Sequence, residues 1–524
     1  MVVGWRATWF LTDDAFIAFR YVHNSIEGFG YVWNRPPFLP VEGYTSFLWV
    51  VLLEWTWRLA GLPPPEAANL LSLACSLGTV LVLARMAWEL LSGRLASGWR
   101  LLWLGLFLAG VVSNRTVLVW TSSGLETALF VLLLTAWVAC GLRASAHRSA
   151  WRLGISCLAA LLALTRPDGL LFAAATFVLV LAVRPRGEPS DRQWLGTWAS
   201  LAPLLIVGAH LTWRRLTYGA WLPNTYFAKV TEAWPEAGLR YAAAFVIEYG
   251  LWVWIFLLAY GARTLVTEGR RVARTAPRDR IVAPTLVTAT LLAHLAYYTL
   301  IVGGDHFEYR IYAHLPGLIL LGGIWLLLKL SLGRGRAVAF LALAVALALP
   351  IPWVHARAAE RTRGLGPRTW VVPVAPHLPG PVRFYGRAFD ALERWLIDRY
   401  IGVRHHTHRR FLALQTRRFP PRERGAEIGG EGNPVYAGYT VGVPGWVLPN
   451  AYVLDLHGLN DPIIARSSSR YPGIRRMAHE RVAPPGYVAC LEPNVRIRDG
   501  EIIVEERAAP LSDERIVSCQ RSYL

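Results

Sequence analysis

The chain has 524 residues, of which 54% are hydrophobic, and it contains 24 Trp residues. Several apolar runs reach the roughly 20 residues that a membrane-spanning helix needs, which excludes a soluble enzyme. The formal net charge of +19 does not indicate nucleic-acid binding, because most basic residues lie in short loops between apolar runs, where the positive-inside rule places them.

An acidic pair, Asp13 and Asp14, precedes the first long apolar run. Thr12 is a credible helix N-cap, and the helix dipole favours carboxylates in a first turn, so the pair has a purely structural explanation. The functional alternative is a general base that takes the proton of a sugar hydroxyl at the membrane surface. Ionisable groups kept beside a membrane favour such a functional hypothesis.

Ten apolar runs predict membrane spans. They cover 67–92, 101–119, 126–142, 151–165, 168–183, 196–212, 242–262, 283–301, 311–329 and 338–355. The Trp-rich run 45–61 is bounded by Gly residues and could be an interfacial helix rather than a span.

Arg-rich loops alternate along the chain with loops that are poor in basic residues. The Arg-rich loops are 93–100, 143–152, 184–192, 263–280 and 329–336. The positive-inside rule places them in the cytoplasm, and the acidic pair and the C-terminal region outside. Only Lys229 and Lys329 are lysines, a bias typical of a GC-rich bacterial genome, so we expect a multi-pass protein of a bacterial plasma membrane.

An outside N-terminus needs a segment that exports it. Residues 1–11 are too short to span a membrane and lack the layout of a signal peptide. We therefore expect the chain to lack its first transmembrane helix. A short tail that crosses by itself is the alternative.

Residues 356–524 differ from the rest, because apolar runs end and Pro, Gly, Arg and His become more frequent. A helix is predicted near 385–400, and two short strands are predicted around a turn at Asp499 and Gly500. The sequence thus predicts a small α+β domain on the outer face.

Histidine and cysteine residues of this region have open interpretations. His405, His406 and His408 stand among Arg residues and are interpreted as a solvated basic loop rather than a metal site. Cys490 and Cys519 could form a disulfide if the region faces an oxidising compartment.

Short motifs occur in a fixed order along most of the chain. They lie at 12–20, 27–34, 41–49, 121–127, 165–169, 222–229, 303–310 and 453–462. Together they resemble the GT-C glycosyltransferases, which use polyprenyl-phosphate sugars, and the first three look like the first extracytoplasmic loop of that superfamily. Within it, the chain looks most like the terminal arabinofuranosyltransferase of the mycobacterial cell wall and its bacterial relatives.

The resemblance implies a polytopic α-helical membrane protein with a GT-C catalytic domain over 1–355, a first extracytoplasmic loop at 12–66, about ten spans, and an extracytoplasmic α+β domain over 356–524. It implies transfer of arabinofuranose, or a hexose such as mannose, from a polyprenyl-phosphate donor. The acceptor would be a hydroxyl of a cell-envelope glycan or glycolipid, with membrane lipid as the other partner. The expected loss of the first helix departs from the family pattern.

The resemblance also implies roles for single residues. The catalytic base maps onto Asp13, with Asp14 as the alternative. The donor phosphate would be bound by three cations, Arg166, Lys229 and Arg310. The predicted substrate-binding residues are Arg20, Glu42, Tyr44, Glu126, Asp168, Asn224, Asp305 and His306.

Several of these residues have structural explanations as well. Glu126 lies three residues after Ser123, the spacing of a capping box. Arg166 and Asp168 could pair in a plain helical hairpin around Pro167. Lys229 could be a snorkelling side chain, and Arg310 a membrane anchor.

Other functions and cofactors are less well supported. Asp305 and His306 could ligate a divalent metal, but no third ligand follows at a clear spacing, so no cofactor is firmly predicted. A transporter or flippase of a lipid-linked sugar would place ionisable residues deep inside spans and show an internal repeat, and neither is evident. An inactive scaffold does not explain why the motifs gather on the outer face. The sequence does not decide between inversion and retention.

Overall fold

The computed structural model describes residues 1–144, 149–183, 191–229, 232–276, 279–362 and 370–524. Within these ranges the chain is mostly helical and carries one small sheet near its C-terminus. Five of the described helices are long and apolar enough to cross a membrane, and a sixth results if one bent pair counts as a single span. The predicted class, a polytopic helical protein with a C-terminal α+β region, is confirmed.

Helices follow one another through the first 361 residues. They are Val2–Ala7, Asp13–Ile26, Phe47–Ala60, Pro64–Leu91, Ser97–Ser113, Arg115–Val119, Thr127–Leu142, Ser149–Thr165, Gly169–Ala182, Asp191–Leu201, Leu205–Tyr218, Asn224–Lys229, Pro235–Glu248, Trp252–Thr275, Asp279–Ala296, a π-helical end at Tyr297–Val302, Leu315–Lys329, Arg334–Leu347 and Pro350–Arg361. The predicted inside-loop residues 145–148, 184–190 and 277–278 lie outside the described residues.

Two predicted spans are interrupted in the structure. The run 101–119 breaks at Asn114, whose side chain accepts a hydrogen bond from the Val117 N–H and so caps a new short helix. The run 242–262 breaks at Gly250, where φ is +59°, and the helices on either side are bent by 91°. A break in the helix does not change the hydropathy of the apolar run that contains it, so the sequence pattern did not predict these two breaks.

The described part of the C-terminal region contains seven further α-helices and the sheet. The helices are Arg383–Ile397, His405–Arg418, Arg422–Ala426, Gly442–Val447, Pro462–Arg466, Tyr487–Cys490 and Asp513–Ser522. The strands are β1 (Val435–Gly438), β2 (Tyr452–Asp455), β3 (Val495–Arg498) and β4 (Glu501–Val504). Their order is β2-β1-β3-β4, with β1 parallel to β2 and β3.

The predicted hairpin and helix of this region are confirmed. Strands β3 and β4 pair antiparallel, and the turn residues Asp499 and Gly500 both have positive φ, as a two-residue hairpin turn requires. The helix expected near 385–400 is Arg383–Ile397. Its buried face, which includes Phe389 and Leu396, packs towards the membrane helices.

Arg20 joins the helix Asp13–Ile26 to the C-terminal region. Its side chain is only 1% exposed and donates hydrogen bonds to the carbonyl oxygens of Trp33, Gly445, Leu448 and Ala451 at 2.7–3.0 Å. A buried charge is tolerated when every donor is satisfied. This anchor holds the helix Asp13–Ile26, and therefore the acidic pair, against the short helix Gly442–Val447.

A disulfide joins Cys490 to Cys519 across 29 residues, and the other three cysteines are free thiols. The sequence predicts that the C-terminal region lies on the outer face of the membrane. Disulfides persist in oxidising compartments, so we expect the pair to be oxidised in cells. A maleimide-polymer gel shift of the denatured protein should show three modified thiols before reduction and five after it. Five reactive thiols without reductant would contradict an extracytoplasmic C-terminal region.

Candidate functional site

A cavity of about 490 Å³ lies where the ends of several helices meet the C-terminal region. We call it the first cavity, and it gathers nine of the residues that the sequence predicted. They are Asp14, Tyr44, Glu126, Arg166, Asp168, Lys229, Asp305, His306 and Arg310. Motifs that are hundreds of positions apart in the chain therefore converge on one space.

A second cavity, of about 250 Å³, adjoins the first. Asp13 lines only this second cavity. The residues that line both are Asp14, Ile17, Lys229, His306, Leu459 and Ala478. The carboxylate of Asp14 and the ammonium of Lys229 thus stand where the two cavities meet.

The helix that carries the acidic pair begins as the sequence predicted. The Thr12 hydroxyl accepts a hydrogen bond from the Ala15 N–H at 3.2 Å, and the Thr12 N–H donates to the Ser123 carbonyl oxygen at 2.9 Å. The first contact caps the helix and the second fixes its start to the loop before Thr127–Leu142. The position of both carboxylates follows from these two contacts.

Asp13 and Asp14 differ in what their carboxylates contact. The two oxygens of Asp13 accept hydrogen bonds from the N–H groups of Gly442 and Val443 at 3.0 and 2.9 Å. Burial raises the pKa of Asp13 to about 7, although these two donors lower it. No hydrogen-bond or ion-pair partner reaches the Asp14 carboxylate among the described residues. Asp14 is the acid that is free to act.

Arg166 is the centre of a closed polar cluster in the wall of the first cavity. Its guanidinium donates to Glu126 and Asp168 at 3.0 Å and to the Tyr298 hydroxyl at 2.8 Å. Asp168 in turn contacts His294 at 2.9 Å. The capping-box interpretation of Glu126 is wrong, because its carboxylate pairs with Arg166 and makes no cap to its own helix.

Arg310 is also ion-paired, through a two-pronged contact with Asp305 at 2.7 and 3.1 Å. The loop before it is held to the C-terminal region, since the carbonyl oxygens of Asp305 and His306 accept from the N–H groups of Gly402 and Val403 at 2.8 and 2.7 Å. These contacts hold His306 in the space where the two cavities adjoin.

Two cations of the first cavity lack an anionic partner among the described residues. The Lys229 ammonium makes neither a hydrogen bond nor an ion pair there. The Arg476 guanidinium lies 4.9 Å from the centre of the Tyr400 ring and has no carboxylate contact. Arg475, its neighbour, contacts Glu480 at 3.9 Å. The first cavity therefore holds two cations that no described carboxylate contacts.

Three predicted site residues lie away from both cavities. Arg20 is the buried anchor described above. The carboxylate of Glu42 pairs with Arg214, 3.1 Å away. The Asn224 amide donates to the carbonyl oxygens of Gly458 and Asp461 at 2.8 and 3.2 Å, which ties its helix to the C-terminal region.

The interpretation of His405, His406 and His408 as a solvated loop is wrong. They form the first turn of the helix His405–Arg418, and His405 and His406 are buried. The Nε2 atom of His405 lies 3.0 Å from the Thr8 carbonyl oxygen. Among the described residues no group of three or more His, Cys, Asp or Glu side chains is arranged to hold a metal ion.

The turn at 455–461 is held by Asx hydrogen bonds. Asp455 accepts from the N–H groups of His457 and Asn460 at 3.0 Å, and Asp461 accepts from Ile463 and Ile464 at 2.9 Å. The turn directs the His457 ring to the second cavity.

Some lining residues were not identified from the sequence. Tyr298 and His294 support Arg166 and Asp168, and Arg476 and His479 come from the C-terminal region. Arg476 is one of 54 Lys and Arg residues, and nothing in its local sequence distinguishes it. The Tyr pair at 297–298 does carry a signal, because it interrupts the apolar end of a predicted span.

No family model matches the chain, and no curated protein matches it. Two crystal structures of ArnT from Cupriavidus metallidurans are similar to it. The apo structure has a TM-score of 0.48 and 15% identity over 96% of this chain and 95% of that one. The structure bound to undecaprenyl phosphate has a TM-score of 0.45 and 14% identity over 96% of each chain. At these values the likeness assigns no role to any residue, and the roles proposed next rest on the contacts of this chain.

Proposed function

We propose that this protein is a GT-C-type membrane glycosyltransferase that moves a sugar, arabinofuranose or a hexose such as mannose, from a polyprenyl-phosphate donor to a hydroxyl of a cell-envelope glycan or glycolipid. One observation carries the proposal. A carboxylate, Asp14, and two cations, Lys229 and Arg476, line one cavity, and none of the three has an ion-pair partner among the described residues.

The walls of the first cavity suit a lipid-linked donor. Leu170 and Leu171 come from one apolar helix, and Ile301 and Val302 from another. Ile301 is 47% exposed, so this wall continues onto the surface that a bilayer would cover. A polyprenyl chain can stay among the lipid tails while its phosphate enters the cavity.

The donor phosphate needs cations that are not already neutralised. Lys229 and Arg476 meet this condition, whereas Arg166 and Arg310 already pair with carboxylates. Charge-assisted hydrogen bonds to phosphate are among the strongest that proteins make. We therefore assign phosphate binding first to Lys229 and Arg476, and we assign Arg166 and Arg310 to the rigid wall that holds them in place.

Asp14 is the general base of the proposed reaction. It takes the proton of the acceptor hydroxyl while the hydroxyl oxygen forms a bond to the anomeric carbon. The bond between that carbon and the phosphate oxygen breaks, and polyprenyl phosphate leaves with the electron pair. Lys229 and Arg476 stabilise the negative charge on the leaving group. A single displacement of this kind inverts the anomeric configuration.

Asp13, Arg20, Glu42 and Asn224 hold the frame of the site in this proposal. Each contacts protein groups and leaves no side-chain charge facing the first cavity.

The positive-inside rule places both cavities outside a bacterial plasma membrane. A lipid-linked donor is used there because nucleotide sugars are cytoplasmic compounds that do not cross the bilayer.

The two lysines of the chain provide a matched test. Lys229→Ala should raise the KM for the donor about 10- to 100-fold, the effect of losing a charge-assisted hydrogen bond. Lys329→Ala should leave the donor KM unchanged. Lys329 ends the helix Leu315–Lys329, pairs with Glu268 and does not line the first cavity. Transfer from radiolabelled polyprenyl-phosphate arabinose and mannose in membranes measures both. Equal donor KM values for the two variants would remove Lys229 from the site, and no transfer with either donor would contradict the function.

A further inference from the structure

The second cavity has a lining unlike that of the first. Its walls carry the rings of His306, His408, His457 and His479, together with aromatic residues such as Tyr400 and Tyr439. None of the residues that line it belongs to a helix long and apolar enough to cross a membrane. The first cavity takes part of its wall from such helices, so the second cavity opens on the water side of the site.

The rings of this cavity form a continuous row. Successive centres are 5.1 Å apart from Tyr439 to His457, 4.7 Å to His479, 5.1 Å to His306 and 5.5 Å to His408. Side chains with a flat apolar face and a polar edge suit a sugar, whose ring carries C–H groups on its faces and hydroxyls around its rim. A volume of about 250 Å³ suits a single ring rather than a lipid.

The orientation of two imidazoles is fixed by the backbone. The Nδ1 atoms of His306 and His479 lie 2.8 and 2.7 Å from the carbonyl oxygens of Tyr400 and Met477. A carbonyl oxygen only accepts, so each Nδ1 carries the proton and each Nε2 is left as an acceptor. No described group occupies either Nε2 atom. Two acceptors thus stand ready for hydroxyl donors.

Two further ring nitrogens are buried without a partner. They are Nδ1 of His457 and Nε2 of His408, and no described donor or acceptor reaches them. A buried polar atom without a hydrogen bond destabilises the folded protein. A hydroxyl group of a bound sugar would form the missing hydrogen bond to each of these nitrogens.

The charge of the second cavity disfavours an anion. Its ionisable groups other than the imidazoles include three carboxylates, on Asp13, Asp14 and Asp455, but only one cation, Lys229. Burial lowers the pKa of His408, His457 and His479 to about 4. These rings are therefore neutral near pH 7, and the second cavity holds more carboxyl groups than cations.

We infer that the second cavity is the acceptor subsite and that it takes one uncharged sugar ring of a water-exposed glycan, with His306 and His479 accepting hydrogen bonds from its hydroxyls. This assignment rests on the proposed glycosyl transfer. Asp14 lines both cavities, so its carboxylate can take the proton of an acceptor hydroxyl in the second cavity while the oxygen of that hydroxyl faces the anomeric carbon of a donor in the first. The acceptor approaches from water, and the donor from the bilayer.

The subsite can be tested by direct binding of neutral sugars. Full-length protein in lipid nanodiscs is titrated with methyl α-arabinofuranoside and methyl α-mannopyranoside and followed by saturation-transfer NMR. We expect at least one glycoside to bind, and His479→Gln and Tyr439→Ala each to weaken binding about tenfold. Tyr439 is 55% exposed, so its truncation spares the fold. His377→Gln, an exposed histidine outside both cavities, is the control and should bind as the wild type does.

Absence of binding by both glycosides, or binding that neither substitution weakens, overturns the acceptor assignment. Hydrolysis or transfer of polyprenyl-phosphate arabinose and mannose by the same samples reports on the donor half of the reaction. Glycoside binding that depends on His479, in a protein that neither hydrolyses nor transfers either donor, would support the sugar subsite and overturn the proposed enzyme. Failure of the acceptor assignment and failure of the proposed enzyme activity would therefore give different results.

Discussion

Asp14→Asn should lower kcat for sugar transfer by about 10²- to 10⁴-fold, the usual contribution of a general base. The Asn side chain keeps the shape of Asp14, but it is neutral and cannot take a proton. Asp14 has no described partner, so the fold and the KM for the donor should stay unchanged. Initial rates with a saturating polyprenyl-phosphate donor, together with a thermal melt of the purified variant, measure both quantities.

Asp13→Asn is the matched comparison and should behave differently. Its two oxygens hold the N–H groups of Gly442 and Val443, and an amide has only one oxygen to accept with. We expect a loss of about 1–3 kcal/mol in stability from the N–H left unpaired, and a kcat within about tenfold of the wild type. Abolished transfer in Asp13→Asn with normal turnover in Asp14→Asn would reverse the two roles.

The membrane helices could be predicted from the sequence because their signal is local. An apolar run of about 20 residues in a row specifies a span without reference to any other part of the chain. The breaks at Asn114 and Gly250 were missed because each is a matter of one backbone position, a side-chain cap in one case and a positive φ in the other. Neither changes the mean hydropathy of the run.

The residues of the site could be predicted more easily than their contacts. The family resemblance marked Glu126, Arg166 and Asp305 as site residues, and all three line the first cavity. Glu126 and Arg166 are 40 positions apart, and only the packing of their helices makes them an ion pair. Sequence alone therefore could not separate the neutralised cations from Lys229 and Arg476.

The histidine tract shows how burial can reverse an interpretation from composition. Arg residues around His405 suggested solvent, yet one of them, Arg404, is itself buried and paired with acids from distant segments. The local sequence shows the positive charge but not the carboxylates that neutralise it, because those lie in other segments of the chain. His479 was missed for the same reason, because the residues next to it in sequence do not indicate the cavity that it lines.

Arg404 holds together the most heavily charged part of the interior. Its guanidinium reaches Glu248 at 2.8 Å, Glu308 at 3.0 Å and Glu393 at 2.8 Å, and all four side chains are at most 3% exposed. These acids come from a bent membrane helix, from the loop that carries His306, and from the helix Arg383–Ile397. The cluster thus fixes the C-terminal region to the membrane helices beside both cavities.

Arg404→Met should therefore be the most destabilising single change among those considered. Removing one partner of a buried ion pair costs about 3–5 kcal/mol, because the remaining charge stays buried without compensation. Glu248 loses its ion-pair partner here, whereas Glu393 keeps His355 at 3.0 Å and Glu308 keeps Arg115 at 4.0 Å. Arg409→Met, in the same helix but exposed, should have a small effect. Thermal unfolding in detergent, followed by size-exclusion fluorescence, compares the two. Equal melting temperatures would mean that water or neighbouring groups replace Arg404, whereas a large drop for Arg404→Met alone would show that this cluster fastens the two halves of the site to each other.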